Sequence, residues 1–331
     1  MSGRRPRRGF INRFKVTLAA IASCIFIAGA WAQSYPTRTI KLIVPFSAGG
    51  STDIIARLTA EQMRKELGQT VIVENVGGAA GALGTMQVAQ AAPDGYTLAI
   101  ATVSTMIVYG ATRSQPQYTV ESFAPITNIA SMPNVLTVNV SFPAKNLTEF
   151  IKVLKANPGK YTFASSGIGS INHMLGESFQ AEAGVKMVHI PYKGSGPAMQ
   201  DVMGGQVDSL FDQFPSSKAF IDGGKLKAIG VISPHRIAGY DVMTMVDAGM
   251  KGFTDEAWYG LLAPAKVPPE VVARLTEAMK KVMAAPELRA QLEKIGARPV
   301  GNSPAEFTAQ IRSEIDRMKR LVKDRQIRLD E

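Results

Sequence analysis

The sequence predicts an α/β protein built as two successive α/β units with a helical tail. Three observations carry that reading. Short β-branched runs alternate with longer helical patterns from Thr39 onward, the same alternation starts afresh in the middle of the chain, and the last third turns mostly helical. Parallel sheets covered by helices leave this alternation in a sequence.

Ahead of the first strand, six basic residues (Arg4, Arg5, Arg7, Arg8, Arg13 and Lys15) precede an uncharged apolar run from Val16 to Trp31. That is the pattern of a secretory signal peptide over 1–32, with Ala30-Trp31-Ala32 placing cleavage before Gln33. A membrane anchor is the other reading, but the run falls short of the roughly 20 residues of a span, and no second candidate follows. Ile21-Ala22-Ser23-Cys24 resembles a lipid-attachment box, a less favoured reading because apolar residues continue past Cys24 to the better cleavage site. Removing the leader lowers the formal charge from +10 to +4 and takes away the only cysteine. Nucleic-acid binding therefore has no clustered basic face to rest on, and disulfide or thiolate chemistry has no sulfur.

Strands are expected at 39–45, 70–74 and 97–103. Between the first two, Ile54, Ile55, Leu58 and Met63 give a helix from Thr52 to Leu67 with one buried face, ended by Gly68. A second helix opens at Gly81 and stops before the turn Pro93-Asp94-Gly95. The second unit reads helix 147–157, strand 160–165, helix 170–184, strand 187–190, helix 195–204, strand 207–211, helix 215–222 and strand 226–231. A strand-like Trp258-Tyr259-Gly260-Leu261-Leu262 then leads into helices near 268–284, 286–295 and 304–326.

In three places a strand runs into a small-residue loop that opens a helix. They are Pro45 to Asp53 (Pro-Phe-Ser-Ala-Gly-Gly-Ser-Thr-Asp), Asn75 to Gly81 (Asn-Val-Gly-Gly-Ala-Ala-Gly), and Ser165 to Ser170 (Ser-Ser-Gly-Ile-Gly-Ser). Helix N-termini carry about half a positive charge, and an anion there gains roughly 0.3–1 kcal/mol. Each loop alone is equally an ordinary tight connection. Three of them on one exported chain point to a shared anion site. Asp53 reads as a first-turn acid stabilising its own helix.

Other chemistries find less support. Gly167-Ile168-Gly169 is followed by Asn172 where a dinucleotide fingerprint needs its third glycine, and Gly194-Ser195-Gly196 is too tight for a nucleophile elbow. His173, His189 and His235 are scattered without clustered acids, so neither a metal nor a cofactor is expected. His173, one turn into the helix after the third loop, fits a polar pocket residue or a satisfied helix histidine. Trp258 and Tyr259 suit an apolar cleft wall. Asp212 falls near the carboxyl end of its strand, where open α/β sheets bind ligands. An acid there would repel a carboxylate, which leaves an amine, a bridging water or a structural role.

Taken together, several blocks resemble one family. They are Tyr35-Pro36, Ile43-Val44-Pro45-Phe46 with Gly49-Gly50 and Asp53, Val73-Glu74-Asn75, and Ala92-Pro93-Asp94-Gly95-Tyr96-Thr97-Leu98. Phe163-Ala164-Ser165-Ser166-Gly167 with Gly169-Ser170 and His173 follow, then Pro191-Tyr192-Lys193-Gly194, Gly205-Gln206-Val207-Asp208 and Trp258 to Pro264. From about Tyr35 to the C-terminus the chain resembles the receptors of the tripartite tricarboxylate transporter family, often called Bug receptors. That resemblance implies two doubly wound α/β domains of the periplasmic-binding-protein type II kind, joined by crossing strands and closing like a clamp. Domain 1 would comprise 33–134 plus 251–331 and domain 2 135–250, with crossings near 134–139 and 258–263. It further implies a periplasmic monomer that binds a small carboxylate, reversibly and without catalysis, and delivers it to membrane permease subunits.

By position the implied contacts are Ser47, Gly50, Ser51 and Thr52 from the first loop and Ser165, Ser166, Gly167 and Ser170 from the third. Asn75 and Asp212 complete the rim, with His173 and Trp258 beside them. The second loop departs from the family pattern, reading Asn75-Val76-Gly77 where a basic residue and a proline usually follow the asparagine. An exported enzyme acting on a small carboxylated compound, and a receptor for a signalling partner, are the competing readings. Which acid is bound stays open among citrate-like acids, dicarboxylates, aromatic acids and amino acids.

Overall fold

A computed structural model describes residues 35–324. The leader, its cleavage site and Cys24 lie outside the described residues. The chain divides into two units, 1–37 and 38–331, and the second holds every strand and helix among the described residues.

Its first half builds the larger sheet. Strand β1 (Ile40–Val44) leads to helix α1 (Ser51–Leu67), β2 (Val71–Asn75), α2 (Ala82–Ala89) and β3 (Thr97–Thr102). β1 lies between β2 and β3, parallel to both. Its residues except Lys41 are buried, as expected of a strand covered on both faces. The C-cap Gly68 takes the left-handed conformation and its amide closes on the Arg64 carbonyl. After β3 come a π-helical turn over Val103–Val108, the short α3 (Tyr109–Thr112) and the ten-residue β4 (Phe123–Met132).

The sequence patterns anticipate neither that turn nor β4. Pro125, Thr127, Asn128 and Ser131 interrupt the apolar signal of β4, and its pairing with β10 (Ala257–Pro264) shifts register twice. The full order of this sheet is β11-β4-β10-β3-β1-β2, where β11 is Arg298–Pro299.

Pro133 carries the chain into the smaller sheet. β5 (Asn134–Asn139), α4 (Leu147–Ala156), β6 (Thr162–Ser165), α5 (Ile171–Ala183), β7 (Val188–Pro191), α6 (Ser195–Met203), β8 (Ser209–Gln213), α7 (Phe214–Asp222) and β9 (Leu226–Ile232) give the order β7-β6-β8-β5-β9. β8 runs two residues later than the expected 207–211. Asp208 is taken up in accepting the Thr162 amide and hydroxyl, and Asp212 becomes an interior strand residue opposite Val135. The chain returns through 233–256, and β10 then lies wholly within the larger sheet, between β3 and β4. The return crossing therefore precedes Trp258 instead of using 258–263.

Helices α8 (Pro269–Ala284), α9 (Pro286–Lys294) and α10 (Pro304–Asp324) pack back on the larger sheet. Phe307 of α10 is fully buried over Gly260, where an added Cβ would sit 2.2 Å from the ring. Only glycine lets helix and sheet approach this closely.

Candidate ligand-binding site

The strand order explains where the site is. In the larger sheet the connections leave β1 in one direction towards β2 and return past it to β3. In the smaller sheet β6 stands in the same relation to β7 and β8. Ligands of open α/β sheets bind at such switch points, beyond the carboxyl ends of the strands. Here the two switch points face each other. Phe46, Gly50 and Thr52 after β1 and Val103 and Ser104 after β3 meet Ser166, Ile171 and Asn172 after β6 and Gln213 at the end of β8. Ser195 opening α6, and Ala257, Trp258 and Tyr259 of β10, close the wall. The enclosed volume is about 20 Å³, room for a water or two.

Four helices, α1, α5, α6 and α7, begin at this cavity. α1, α6 and α7 have no side-chain cap from their own N-cap residues. Instead, serines reach across between the sheets. Ser51 Oγ accepts the Ser216 amide at 2.9 Å, and Ser104 Oγ accepts the Ile171 amide at 3.0 Å. Helix starts leave orphan N–H donors, and here a hydroxyl from the opposite sheet takes one of them at α5 and another at α7. The Ser47 amide donates to the Lys193 carbonyl at 3.1 Å. No lysine, arginine, histidine or carboxylate is among the wall residues.

Of the residues singled out from sequence, Gly50, Thr52, Ser166, Trp258 and Tyr259 line the cavity. The others stand behind the wall. Ser47 Oγ is buried without a hydrogen-bond partner. Asn75 braces the first loop, donating to the Phe46 carbonyl and to Asp53 Oδ1, each at 3.0 Å. Asp53 accepts from the Gly49 amide and Arg57. Burial raises its pKa, but Arg57, Gly49 and Asn75 outweigh this, and it ends below the usual carboxylate value. Ser170 caps α5 by accepting the His173 amide at 3.2 Å. Trp258 Nε1 donates to Glu314 at 2.7 Å, which anchors the ring to α10.

Ser165 Oγ lies 2.6 Å from His189 Nε2, and its hydroxyl oxygen also accepts the Gly167 amide. His173, whose Nδ1 accepts the Gly169 amide, stacks on His189 with ring centroids 3.9 Å apart. Two histidines scattered in sequence thus form one stack behind the third loop. Burial, then the neighbouring His173, pushes the His189 pKa down to about 4. Among the described residues no group of three His, Cys, Asp or Glu side chains is arranged to hold a metal.

Asp212 is fully buried and off the cavity wall. It accepts Ser195 Oγ at 2.6 Å, Ser216 Oγ at 2.5 Å and Asn172 Nδ2 at 3.1 Å, and burial pushes its pKa up against those bonds. Ser104, Asn172, Ser195, Gln213 and Ser216 are not among the residues expected from sequence. The signals for Ser195 and Gln213 were present as Lys193-Gly194-Ser195-Gly196-Pro197 and Gln213-Phe214-Pro215, each a strand end followed by glycine or proline at a helix start. A larger groove of about 480 Å³ between α3 and α10 holds none of the expected residues.

Comparison with known proteins fits this arrangement. The sequence pattern of the tripartite tricarboxylate transporter family receptor matches residues 55–327. The chain belongs to this family. Protein BugT of Bordetella pertussis is 34% identical over 307 residues, covering 92% of this chain and 94% of that protein. Among solved structures, one described as a periplasmic transporter is 47% identical, with a TM-score of 0.87 over 89% of this chain and all of its own. MatC from Rhodopseudomonas palustris with bound malate is 33% identical, with a TM-score of 0.82 over 87% of this chain and 100% of that one. The R. palustris protein Rpa4515 with adipate is 30% identical, with a TM-score of 0.83 over 87% and 97%. The two-sheet α/β clamp is therefore the periplasmic-binding-protein fold of this receptor family.

Proposed function

We propose that this receptor captures a small carboxylate-containing metabolite in the periplasm, between its two sheets, and hands it to the permease subunits of a tripartite tricarboxylate-type transporter. The observation that carries the reading is the convergence of four helix N-termini on one cavity whose wall bears no charged side chain. Backbone amides and hydroxyls can then solvate a carboxylate, each helix start contributing about 0.3–1 kcal/mol. The malate and adipate held by two relatives support this class of ligand.

In this reading the first loop supplies Ser47, Gly50, Ser51 and Thr52, the third Ser165, Ser166, Gly167 and Ser170. Asn75, His173 and Asp212 hold those loops, and Trp258 forms the apolar wall. The unpartnered Ser47 hydroxyl is one group a ligand oxygen would satisfy. Admitting a four-carbon acid to a cavity of about 20 Å³ requires the sheets to part. Domain 1, 33–134 plus 251–331, and domain 2, 135–250, would hinge where the chain crosses, near Pro133 and through 233–256. The receptor would act as a monomer, exported by the cleaved leader 1–32.

The test is a thermal-shift titration of the chain from Gln33 with small carboxylates and their neutral amides. A Tm that rises with concentration for an acid and not for its amide is expected. Equal shifts from both would remove the carboxylate from the reading. One geometric feature favours the alternative of an exported enzyme, the Ser165–His189 pair. A histidine with a pKa near 4 is a poor base at neutral pH, so the expected turnover of bound acids or their esters is none. Any measured turnover would reverse the ranking.

A further inference from the structure

Two serines on the cavity wall have their protons committed elsewhere, and one buried carboxylate is the reason. Asp212 makes no hydrogen bond to a cation. Its Oδ1 accepts from Ser195 Oγ at 2.6 Å and from Asn172 Nδ2 at 3.1 Å, and its Oδ2 accepts from Ser216 Oγ. In its ionised form Asp212 can only accept, and each serine then donates to it. Asn172 is fixed in turn. Its amide nitrogen also donates to the Phe211 carbonyl, which turns Oδ1 towards Ser166, whose hydroxyl donates to it at 2.8 Å. A hydroxyl has one proton, so Ser195 and Ser166 meet the cavity with lone pairs alone. Across from them, Ser104 Oγ accepts the Ile171 amide and keeps its own proton for a ligand oxygen.

A carboxylate oxygen set against Ser166 and Ser195 would face lone pairs backed by the Asp212 charge. A group bearing O–H or N–H would be accepted there. We infer that Asp212 is a positioning residue that makes this wall an acceptor surface. The ligand is then a carboxylate that also carries a hydrogen-bond donor, hydroxyl or ammonium, at the end facing Ser166 and Ser195. This rests on reading the cleft as a carboxylate site and narrows it. A site built to pair with a donor discriminates strongly against the analogue that lacks one, because its own polar groups are left unpaired.

The experiment is calorimetric binding to the chain from Gln33 with acids matched in length. The panel is succinate, malate and aspartate; glutarate, 2-hydroxyglutarate and glutamate; adipate, 2-hydroxyadipate and 2-aminoadipate. The hydroxy or amino acid of one length should bind at least about tenfold more tightly than its unsubstituted partner, and the better of the two names the donor. In Ser195→Ala the ratio should fall towards one. In Asp212→Asn, whose amide can donate to Ser195 and release the serine proton to the cleft, the unsubstituted acid should gain relative to the others. Ser195→Ala leaves the carboxylate in place and decides the matter should Asp212→Asn fail to fold. A ratio near one in the unmodified protein, or one unmoved by Ser195→Ala, overturns the inference and leaves carboxylate capture standing. No binding by any acid of the panel also overturns the inference, and carboxylate capture then stands or falls on the thermal-shift titration of acids against their amides.

Discussion

At the scale of single residues, burial and hydrogen bonding between them set the ionisation of the groups behind the cavity wall. His189 is the clearest case, its pKa lowered from 6.5 to about 4 by burial and by His173. An unfolded histidine binds its proton near 6.5, whereas the folded ring does so only near 4. Between those values the unfolded state therefore holds more protons, and stability falls as pH drops from about 6.5 towards 4. The melting temperature of the unmodified protein should decline across that window, and His189→Gln should flatten the decline. Profiles of equal slope would show that the stack does not govern acid stability. Asp53 works in the opposite pH range. Its lowered pKa gives stability that is present above the unfolded carboxylate value and lost as pH falls through the folded one, so its contribution fades only below about pH 4.

Among elements, the contacts between loops and helix starts decide how closely the two sheets approach. The loop before α1 meets the start of α6 at Gly196, where an added Cβ would lie 2.0 Å from the Ala48 carbonyl oxygen. That contact joins the sheets and belongs to the fold of neither. Gly196→Ala should therefore weaken ligand binding by about tenfold or more, some 1.4 kcal/mol, with little change in the ligand-free melting temperature. A large loss of stability without loss of affinity would place this contact in folding. The contrast is α10, held by Phe307 over Gly260 of β10. Phe307→Ala should cost about 3–5 kcal/mol in denaturant unfolding, because a fully buried ring leaves a cavity.

At the scale of the whole molecule, the cross-sheet serines offer a direct test of opening. Ser51 Oγ and Ser216 Oγ are 2.9 Å apart, one on each sheet's helix start, and the chain from Gln33 has no cysteine of its own. A Ser51→Cys, Ser216→Cys double variant should form a disulfide on oxidation that pins the sheets together. If ligand enters only when they part, the oxidised protein should show no thermal shift with an acid that shifts the reduced one. Unchanged binding after complete oxidation would mean that the cleft fills without opening.

The sequence by itself determined the α/β class, the order of most elements and the loops that open three of the helices. Those features are local. Alternating β-branched runs and amphipathic segments specify strand and helix wherever they lie, and Gly49-Gly50 or Gly167-Ile168-Gly169 permits a tight turn whatever it faces. β4 escaped because its polar residues break the period of two, and its place between β11 and β10 is set by partners more than 100 residues away. Only the tertiary structure decided the site. A switch point is a property of strand order, which puts the ends of β1 and β3 opposite those of β6 and β8. No spacing in the chain records that juxtaposition. The same holds for Asp212, a lone acid in its strand until folding surrounds it with Ser195, Ser216 and Asn172. Its effect on the cleft comes from the direction of their hydrogen bonds, which exists only once helices α5, α6 and α7 all start at the same point in space.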